Sequence, residues 1–167
     1  LPGQHRPGVL PALPFLVANG RRVLGTAPDA ARPIAGWTAP EPSLDLAGRR
    51  VVVLGGGDTG MDCVRTAVRL GAAQVTCIYR RDEASMPGSR REVKNARDEG
   101  VAFLFNRQPL AILGEGPDGA VTAVRVGETV AGGSRDAGVS VKPGSETDIP
   151  ADVVLQAFGF RAEQPAW

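Results

Sequence analysis

The feature that most constrains this chain is a short apolar run followed directly by closely spaced glycines. Residues 51–54 (VVVL) are typical of a strand buried in a parallel sheet, and residues 55–60 (GGGDTG) follow without a gap. Apolar residues then recur at helical spacing as far as Gly71, which favours a helix end there. A strand, a glycine-rich turn and a helix in this order predict an α/β fold built on a parallel sheet.

The residues after this helix predict a second βα unit and then several shorter strands. Residues 74–79 (QVTCIY) and 101–105 (VAFLF) are predicted strands, with a helix between them from Ser89 to Gly100. Ser89 and Glu92 fit a capping box, and Lys94 and Asp98 fit an ion pair between successive turns of that helix. Strand-like pieces separated by Gly/Pro turns then follow at residues 110–113, 120–126, 138–141 and 151–158. We therefore predict a Rossmann-like domain, in which a parallel sheet carries helices and an inserted β-meander.

Residues 1–48 are predicted to form an entry segment that leads into this domain. The apolar residues between Val9 and Val17 have helical spacing, and proline is tolerated in a first turn, so a helix is predicted from about Pro11 to Val23. Four prolines between residues 26 and 42 predict a connecting loop after it.

The spacing of the three key glycines indicates a dinucleotide site. Gly55 allows a tight turn, Gly57 lets a pyrophosphate approach the backbone, and Gly60 lets the helix pack close to the strand. The free amides and the positive end of the helix would then face the phosphates. The alternative is a glycine-rich turn that binds nothing. The candidate binding loop comprises Gly55, Gly56, Gly57, Asp58, Thr59 and Gly60.

The end of the second strand indicates which nucleotide this loop would take. An NAD site usually has an Asp or Glu about 20 residues after the glycines, but here Arg80 and Arg81 stand at that distance from Gly60. Paired guanidinium groups attract a 2′-phosphate, so we predict NADP-type recognition. Use of NAD or of both nucleotides, through Asp82 or Glu83, and an exposed pair of arginines without a ligand stay as alternatives.

Four residues near these elements each have a predicted role and an alternative to that role. Arg90 and, less strongly, Arg91 are expected to contact phosphate, because a cation at a helix N-terminus opposes the helix dipole; solvation is the alternative. Asp58 and Thr59 are expected to cap the helix that follows the glycines, and they also stand where a nicotinamide-side ribose or a flavin could lie.

Composition excludes several other classes of function. With 19 basic and 18 acidic residues, the chain lacks the positive charge of a nucleic-acid protein or a polybasic membrane anchor. His5 is the only histidine, which argues against Ser-His-Asp hydrolysis and histidine-based metal sites. Cys63 and Cys77 are predicted to be buried, reduced and structural. No apolar run approaches the roughly 20 residues of a membrane span, and no signal-peptide pattern is present, so we expect a cytoplasmic protein.

Three segments together resemble the NADPH-binding domain of the glutamate synthase small subunit and its relatives. They are residues 51–72 (VVVLGGGDTGMDCVRTAVRLGA), 75–101 (VTCIYRRDEASMPGSRREVKNARDEGV) and 151–160 (ADVVLQAFGF); residues 8–19 (GVLPALPFLVAN) resemble the segment before that domain. The relatives include dihydropyrimidine dehydrogenase-like flavoproteins and, more distantly, thioredoxin reductase. Gly159, in the last segment, joins the candidate cofactor-binding residues.

This resemblance implies an electron-entry domain with an FAD/NAD(P)-binding fold. NADPH would bind to residues 49–159, while residues 1–48 and 160–167 would connect to an FAD-binding portion. FAD and iron–sulfur clusters would belong to the full-length protein, which would act with a glutamate synthase large subunit. No catalytic residue is expected in this chain, and the isolated chain is expected to be inactive.

Two other functions are weighed against this one. One is a stand-alone, non-catalytic dinucleotide-binding module. The other, a short-chain dehydrogenase, is disfavoured because the only tyrosine, Tyr79, ends a strand without a nearby lysine.

Overall fold

The computed structural model describes residues 1–26, 41–130 and 138–159. The first part of the chain forms β1 (Val9–Pro11), α1 (Ala12–Leu24), β2 (Arg50–Leu54), α2 (Asp58–Arg69), β3 (Gln74–Ile78), a 3₁₀-helix (Glu83–Ser85), α3 (Arg90–Asp98) and β4 (Ala102–Leu104). The second part forms β5 (Arg107–Gly114), β6 (Val121–Val130), β7 (Ser140–Val141), β8 (Thr147–Pro150) and β9 (Val153–Gln156).

Five strands form a parallel sheet in the order β1-β9-β2-β3-β4. The last strand of the chain, β9, lies between the first two, and Val52 of β2 is paired with Val154 on one side and Thr76 on the other. Because all five strands are parallel, their carboxyl ends meet at one edge of the sheet. The turns that follow β2, β3 and β9 therefore lie side by side.

The two faces of this sheet are covered by different layers. The α-helices α1, α2 and α3 pack on one face, where Val51 and Val53 contact a core that includes Phe15 and Met61. On the other face, Val52 and Leu54 pack against the antiparallel strands, with Ile112, Val121, Val124 and Val126. Burial on both faces explains why β2 is a continuous apolar run instead of an alternating one. The predicted parallel sheet with helices and an inserted β-meander is confirmed.

The inserted sheet is antiparallel and has β6 at its centre. Strand β6 pairs with β5, β7 and β8, and the β5–β6 register shifts between Pro109 and Ala111. The sequence predicted strands near β5, β6 and β7 but not β8, whose residues (TDIP) lack an apolar run.

The N-terminal residues contribute to the same core as the rest of the chain. Val9 and Leu10 lie just before the predicted helix, where the sequence predicted no strand. They form β1 because they pair with Val154 and Leu155 of β9. The predicted helix follows as α1, and its Phe15 is fully buried. Most of the predicted loop of residues 26–42 lies outside the described residues. The division of the chain at residue 48 stays a prediction about the full-length protein.

The predicted caps of α2 and α3 are wrong, for one shared reason. The N-cap of α2 is Gly57, and neither Asp58 nor Thr59 caps that helix through its side chain. Asp58 instead accepts a hydrogen bond from the backbone N–H of Ser89, at 2.9 Å, and Ser89 makes no side-chain cap. Tertiary partners outcompete the local pattern. The predicted pair of Lys94 and Asp98 is confirmed, at 2.5 Å.

The second residue of the predicted capping box, Glu92, also binds a partner on another helix. Glu92 forms an ion pair with Arg65 of α2 instead of returning to the start of α3.

Cys63 and Cys77 are buried and unbridged, and burial raises the pKa of each thiol to about 12. Among the residues that the structure describes, no helix is both long and apolar enough to cross a bilayer.

Candidate functional site

A cleft of about 480 Å³ opens at the carboxyl edge of the parallel sheet. The turn after β2 forms its floor, between the ends of β3 and β9, and the antiparallel sheet contributes one wall. Its lining comprises Gly55, Gly56, Gly57, Thr59, Ile78, Tyr79, Arg80, Pro87, Gln108, Pro109, Ala157, Phe158 and Gly159. Ligands of open α/β sheets bind at this kind of edge, outside the carboxyl ends of the strands.

Two of the predicted glycines allow backbones to approach closely. Gly55 has a φ of +127°, and a Cβ atom there would lie 2.3 Å from the carbonyl oxygen of Ala157. A Cβ atom at Gly60 would lie 2.5 Å from the carbonyl oxygen of Gly55. These contacts bring β2, α2 and β9 together beneath the cleft, so the first turn of α2 starts at its floor.

Gly57 differs, because the space in front of it is open. A Cβ atom at this position would meet nothing within 4 Å beyond its own neighbours along the chain, and Gly57 is the residue from which α2 starts. The first N–H groups of a helix have no partner within the helix, and they carry its positive dipole end. Open space beside such groups fits a phosphate.

Gly56 fixes the other side of the turn. A Cβ atom there would lie 2.8 Å from the ring of Tyr79, so the ring packs directly on the glycine backbone. The N–H of Gly88 donates to the carbonyl of Gly56 at 2.9 Å, and the Tyr79 hydroxyl donates to the carbonyl of Ser85 at 2.9 Å. The segment after β3 is thereby tied to the glycine turn.

At the end of β3, an arginine lines the cleft, and the nearby acids have other partners. Arg80 is exposed and lines the cleft, whereas Arg81 is half-buried and lies outside the lining. Asp82 accepts a hydrogen bond from the N–H of Ser85 at 2.8 Å, and hydrogen bonds from Ser85 lower the pKa of this carboxyl group. Glu83 pairs with Arg97 at 2.7 Å. The described cleft thus presents a cation where an NAD site usually presents an acid.

The remaining candidates are divided between the cleft and its surroundings. Thr59 and Gly159 line the cleft, whereas Asp58 and Gly60 lie outside its lining. Arg90 lines a separate cavity of about 510 Å³ between the 3₁₀-helix and α3, on the other side of residues 86–88. Arg91 is exposed, and its nearest acid is Glu92 at 3.8 Å. The structure therefore does not bring Arg90 and Arg80 into one cavity.

Comparison with known protein families matches residues 17–166 to the pyridine nucleotide-disulphide oxidoreductases. The chain belongs to this family. Among relatives, the glutamate synthase [NADPH] small chain of Escherichia coli (strain K12) is 53% identical over 171 residues, covering 100% of this chain and 34% of that protein. The protein of the same name from Halomonas elongata is 52% identical and covers 99% of this chain and 33% of its own length. The chain thus spans about a third of the curated relatives it matches.

A solved structure has the same fold as this chain. Mycobacterium tuberculosis FprA in complex with NADPH aligns over 98% of this chain and 47% of its own, with a TM-score of 0.69 at 18% identity. At this identity the likeness establishes the fold alone. It agrees with the layered arrangement of a parallel sheet, helices and an antiparallel sheet described above.

Sequence reasoning missed several cleft residues of this oxidoreductase domain. Phe158 could have been found, since it ends the predicted strand of residues 151–158, and that strand pairs in parallel with β2 and so ends at the same edge as the glycine turn. Pro87, Gln108 and Pro109 carry no such signal, because only the packing of the antiparallel sheet and of residues 86–88 brings them to the cleft. No three His, Cys, Asp or Glu side chains in the described ranges are grouped so that they could hold a metal ion.

Proposed function

We propose that the cleft binds NADPH, and that the chain is the nicotinamide-nucleotide-binding part of a larger flavin oxidoreductase of the glutamate synthase small-chain type. The observation that carries this proposal is the combination of Gly57 and Arg80 in one cleft. Gly57 leaves open space beside the first turn of α2, and Arg80 supplies a cation at the neighbouring strand end. Both features suit a dinucleotide with an additional phosphate.

The strand order supports an orientation for this ligand. Strand β2 lies between β3 and β9, so the glycine turn is central, Arg80 lies on one side of it and Phe158 on the other. In the proposed orientation, the pyrophosphate lies on residues 55–60, the 2′-phosphate on Arg80, and the nicotinamide half extends towards Phe158 and Gly159. Arg81 would add charge near the 2′-phosphate.

Within this site, the residues of the chain bind and orient the nucleotide. The N–H groups at the start of α2 would neutralise the pyrophosphate, and the ring of Tyr79 would hold the turn in the binding shape through its packing on Gly56. When bound, NADPH supplies a hydride, which the full-length protein would pass to FAD. The high identity to glutamate synthase small chains favours this function over that of a stand-alone, non-catalytic module.

The rest of the proposal concerns the full-length protein. It would contain the FAD-binding portion and iron–sulfur clusters, act with a glutamate synthase large subunit in glutamate synthesis, and reside in the cytoplasm. Its supports are the identity to the small chains of Escherichia coli and Halomonas elongata, and the family to which the chain belongs.

The assignment of the nucleotide can be tested by isothermal titration of the chain with NADPH and NADH. We expect tighter binding of NADPH, because a 2′-phosphate would meet Arg80. The Arg80→Glu variant should lose most of this preference, since it removes an attraction and adds a repulsion. Loss of one charge-assisted hydrogen bond corresponds to a weakening of NADPH binding by about tenfold or more, with a much smaller effect on NADH.

Arg22→Glu provides the control for a change in net charge. Arg22 is exposed near the end of α1, which runs back to the amino edge of the sheet, away from the cleft. This variant should keep the wild-type preference. Equal affinity of the wild-type chain for both nucleotides, or tighter binding of NADH, would contradict the proposal.

A further inference from the structure

Three successive backbone carbonyl groups beyond β3 accept hydrogen bonds from the inserted antiparallel sheet and the residue before it. The pairing of β3 with β4 stops at Ile78 and Leu104, so the parallel sheet does not define the position of residues 80 and 81. The bonds are Arg107 N to Tyr79 O at 3.1 Å, Thr129 Oγ1 to Arg80 O at 2.7 Å and Asn106 N to Arg81 O at 2.9 Å. The backbone of the arginine pair is therefore held from the antiparallel side.

These bonds form a connected set rather than three isolated contacts. Asn106 is the only non-glycine residue with a positive φ, +53°, in the described part of the chain, and it lies between β4 and β5. Its N–H donates to Arg81, while its carbonyl accepts from the N–H of Thr129 at 3.0 Å. Thr129 is thus fixed through its own backbone, and its hydroxyl reaches Arg80 from a defined position.

Only one of the three donors is a side chain. The N–H groups of Asn106 and Arg107 belong to the backbone, whereas Thr129 donates through its hydroxyl. A substitution at Thr129 can therefore free the Arg80 peptide without altering the backbone of either strand. The orientation of this peptide sets the direction in which the Arg80 side chain leaves the backbone, so loss of the Thr129 bond would change how that side chain enters the cleft.

We infer that Thr129 is a positioning residue for Arg80, and that the inserted sheet thereby sets the selectivity of the cleft for a nucleotide with a 2′-phosphate. This inference rests on the proposed NADPH site. Thr129 itself lies outside the cleft lining, so its effect reaches the nucleotide through Arg80. The inserted sheet then has a function in recognition beyond covering one face of the parallel sheet.

The test compares Thr129→Val with Thr129→Ser in titrations with NADPH and NADH. Valine has nearly the shape of threonine and favours a strand, but it cannot donate the hydrogen bond. We expect Thr129→Val to weaken NADPH binding by about three- to tenfold, the range of one hydrogen bond, and to leave NADH binding unchanged. Thr129→Ser, which keeps the hydroxyl, should restore the wild-type preference.

A second variant on the same strand controls for loss of a threonine. Thr122 is exposed on β6, and Thr122→Val should change neither affinity. In the Arg80→Gln background, Thr129→Val should have little further effect, because the residue through which it acts is gone. Thermal unfolding of each variant shows whether the fold is retained.

The outcomes separate this inference from the proposed function. If the wild-type chain prefers NADPH but Thr129→Val keeps that preference, or weakens the binding of both nucleotides equally, the inference is overturned and the proposed function stands. If the wild-type chain does not prefer NADPH, both are overturned. An effect of Thr129→Val that persists in the Arg80→Gln background would also overturn the inference, since it would not act through Arg80.

Discussion

Gly55 and Gly57 belong to the same turn, yet they lack a side chain for different physical reasons. Gly55 has a φ of +127°, and a Cβ atom there would meet the Ala157 carbonyl oxygen. Gly57 has a φ of −85°, which any residue adopts, and a Cβ atom there would stand in open space. The fold itself therefore needs glycine at position 55, whereas at position 57 only a ligand would need it.

We expect Gly57→Ala to weaken NADPH binding with little change in stability, and Gly55→Ala to destabilise the fold. The methyl group at position 57 would stand between the first amides of α2 and the pyrophosphate. At position 55, alanine would adopt a backbone conformation that costs on the order of 1–3 kcal/mol, before the contact with Ala157 is counted. Thermal unfolding and titration with NADPH measure the two effects separately.

Gly20→Ala is the matched control for these two variants. Gly20 lies inside α1, where a Cβ atom would meet nothing within 4 Å, so alanine should stabilise the chain by about 0.5–1 kcal/mol and leave binding unchanged. If Gly57→Ala binds NADPH as tightly as the wild-type chain, the pyrophosphate does not lie on this turn.

At the scale of elements, one ion pair joins the amino ends of β2 and β9. Asp152, just before β9, accepts from the side chain of Arg50 at 2.6 and 3.1 Å, and from the backbone N–H of Arg50 at 2.8 Å. These bonds and the charge of Arg50 lower the pKa of Asp152 from its ordinary value of 3.8 to about 2. The carboxylate form is thus the one that stabilises the folded chain.

Asp152→Asn should lower the stability at neutral pH and remove part of its acid dependence. A depressed pKa contributes stability that is present above pH 3.8 and is lost as the pH falls through about 2. Since the pair is partly exposed, we expect a loss of about 1 kcal/mol at pH 7, less than the unscreened shift implies. Urea unfolding between pH 7 and pH 2 should show that the free energies of unfolding of the variant and of the wild-type chain converge in acid.

Asp45→Asn, at an exposed aspartate outside this pair, is the control. Its free energy of unfolding should change with pH in parallel with that of the wild-type chain over the same range. A constant difference between Asp152→Asn and the wild type down to pH 2 would show that the ion pair does not account for the effect.

The elements that sequence predicts best are those with a local cause. The strand, turn and helix at residues 50–69 follow from hydrophobic spacing and glycine positions within one stretch of chain. The same GxGxxG letters recur at residues 114–119 (GEGPDG), where they form the turn of the β5–β6 hairpin, with Arg6 donating to the carbonyls of Gly116 and Gly119. The flanking strand and helix, rather than the letters, single out residues 55–60 as the candidate binding turn.

Features that depend on contacts between distant residues were not predictable in this way. The place of β9 between β1 and β2 is decided by packing, and so is the bond from Asp58 to Ser89 that replaces the expected caps. At the level of the whole molecule, sequence located the glycine turn and Arg80, because parallel strands end at one edge. It could not locate Gln108, Pro109 or Thr129, since they reach the site only through the inserted sheet.

The whole chain should bind NADPH without oxidising it. A bound nicotinamide needs a hydride acceptor within reaction distance, which enzymes usually supply from a second cofactor or a substrate. Within residues 1–26, 41–130 and 138–159, one glycine-rich turn joins a strand to a helix, and NADPH would occupy it. It has two cysteines, both buried, whereas an iron–sulfur cluster usually requires four ligands.

The purified 167-residue chain is therefore expected to be colourless and to leave the nicotinamide absorbance of NADPH constant, also with glutamine and 2-oxoglutarate present. Arg80→Glu serves as the control, because uncatalysed oxidation in buffer would proceed equally with this variant and with the wild-type chain. Addition of the FAD-binding portion of the proposed full-length protein should give NADPH oxidation if the two parts can associate. A yellow preparation with tightly bound flavin, or steady oxidation by the wild-type chain that Arg80→Glu abolishes, would show that the chain contains an acceptor site of its own.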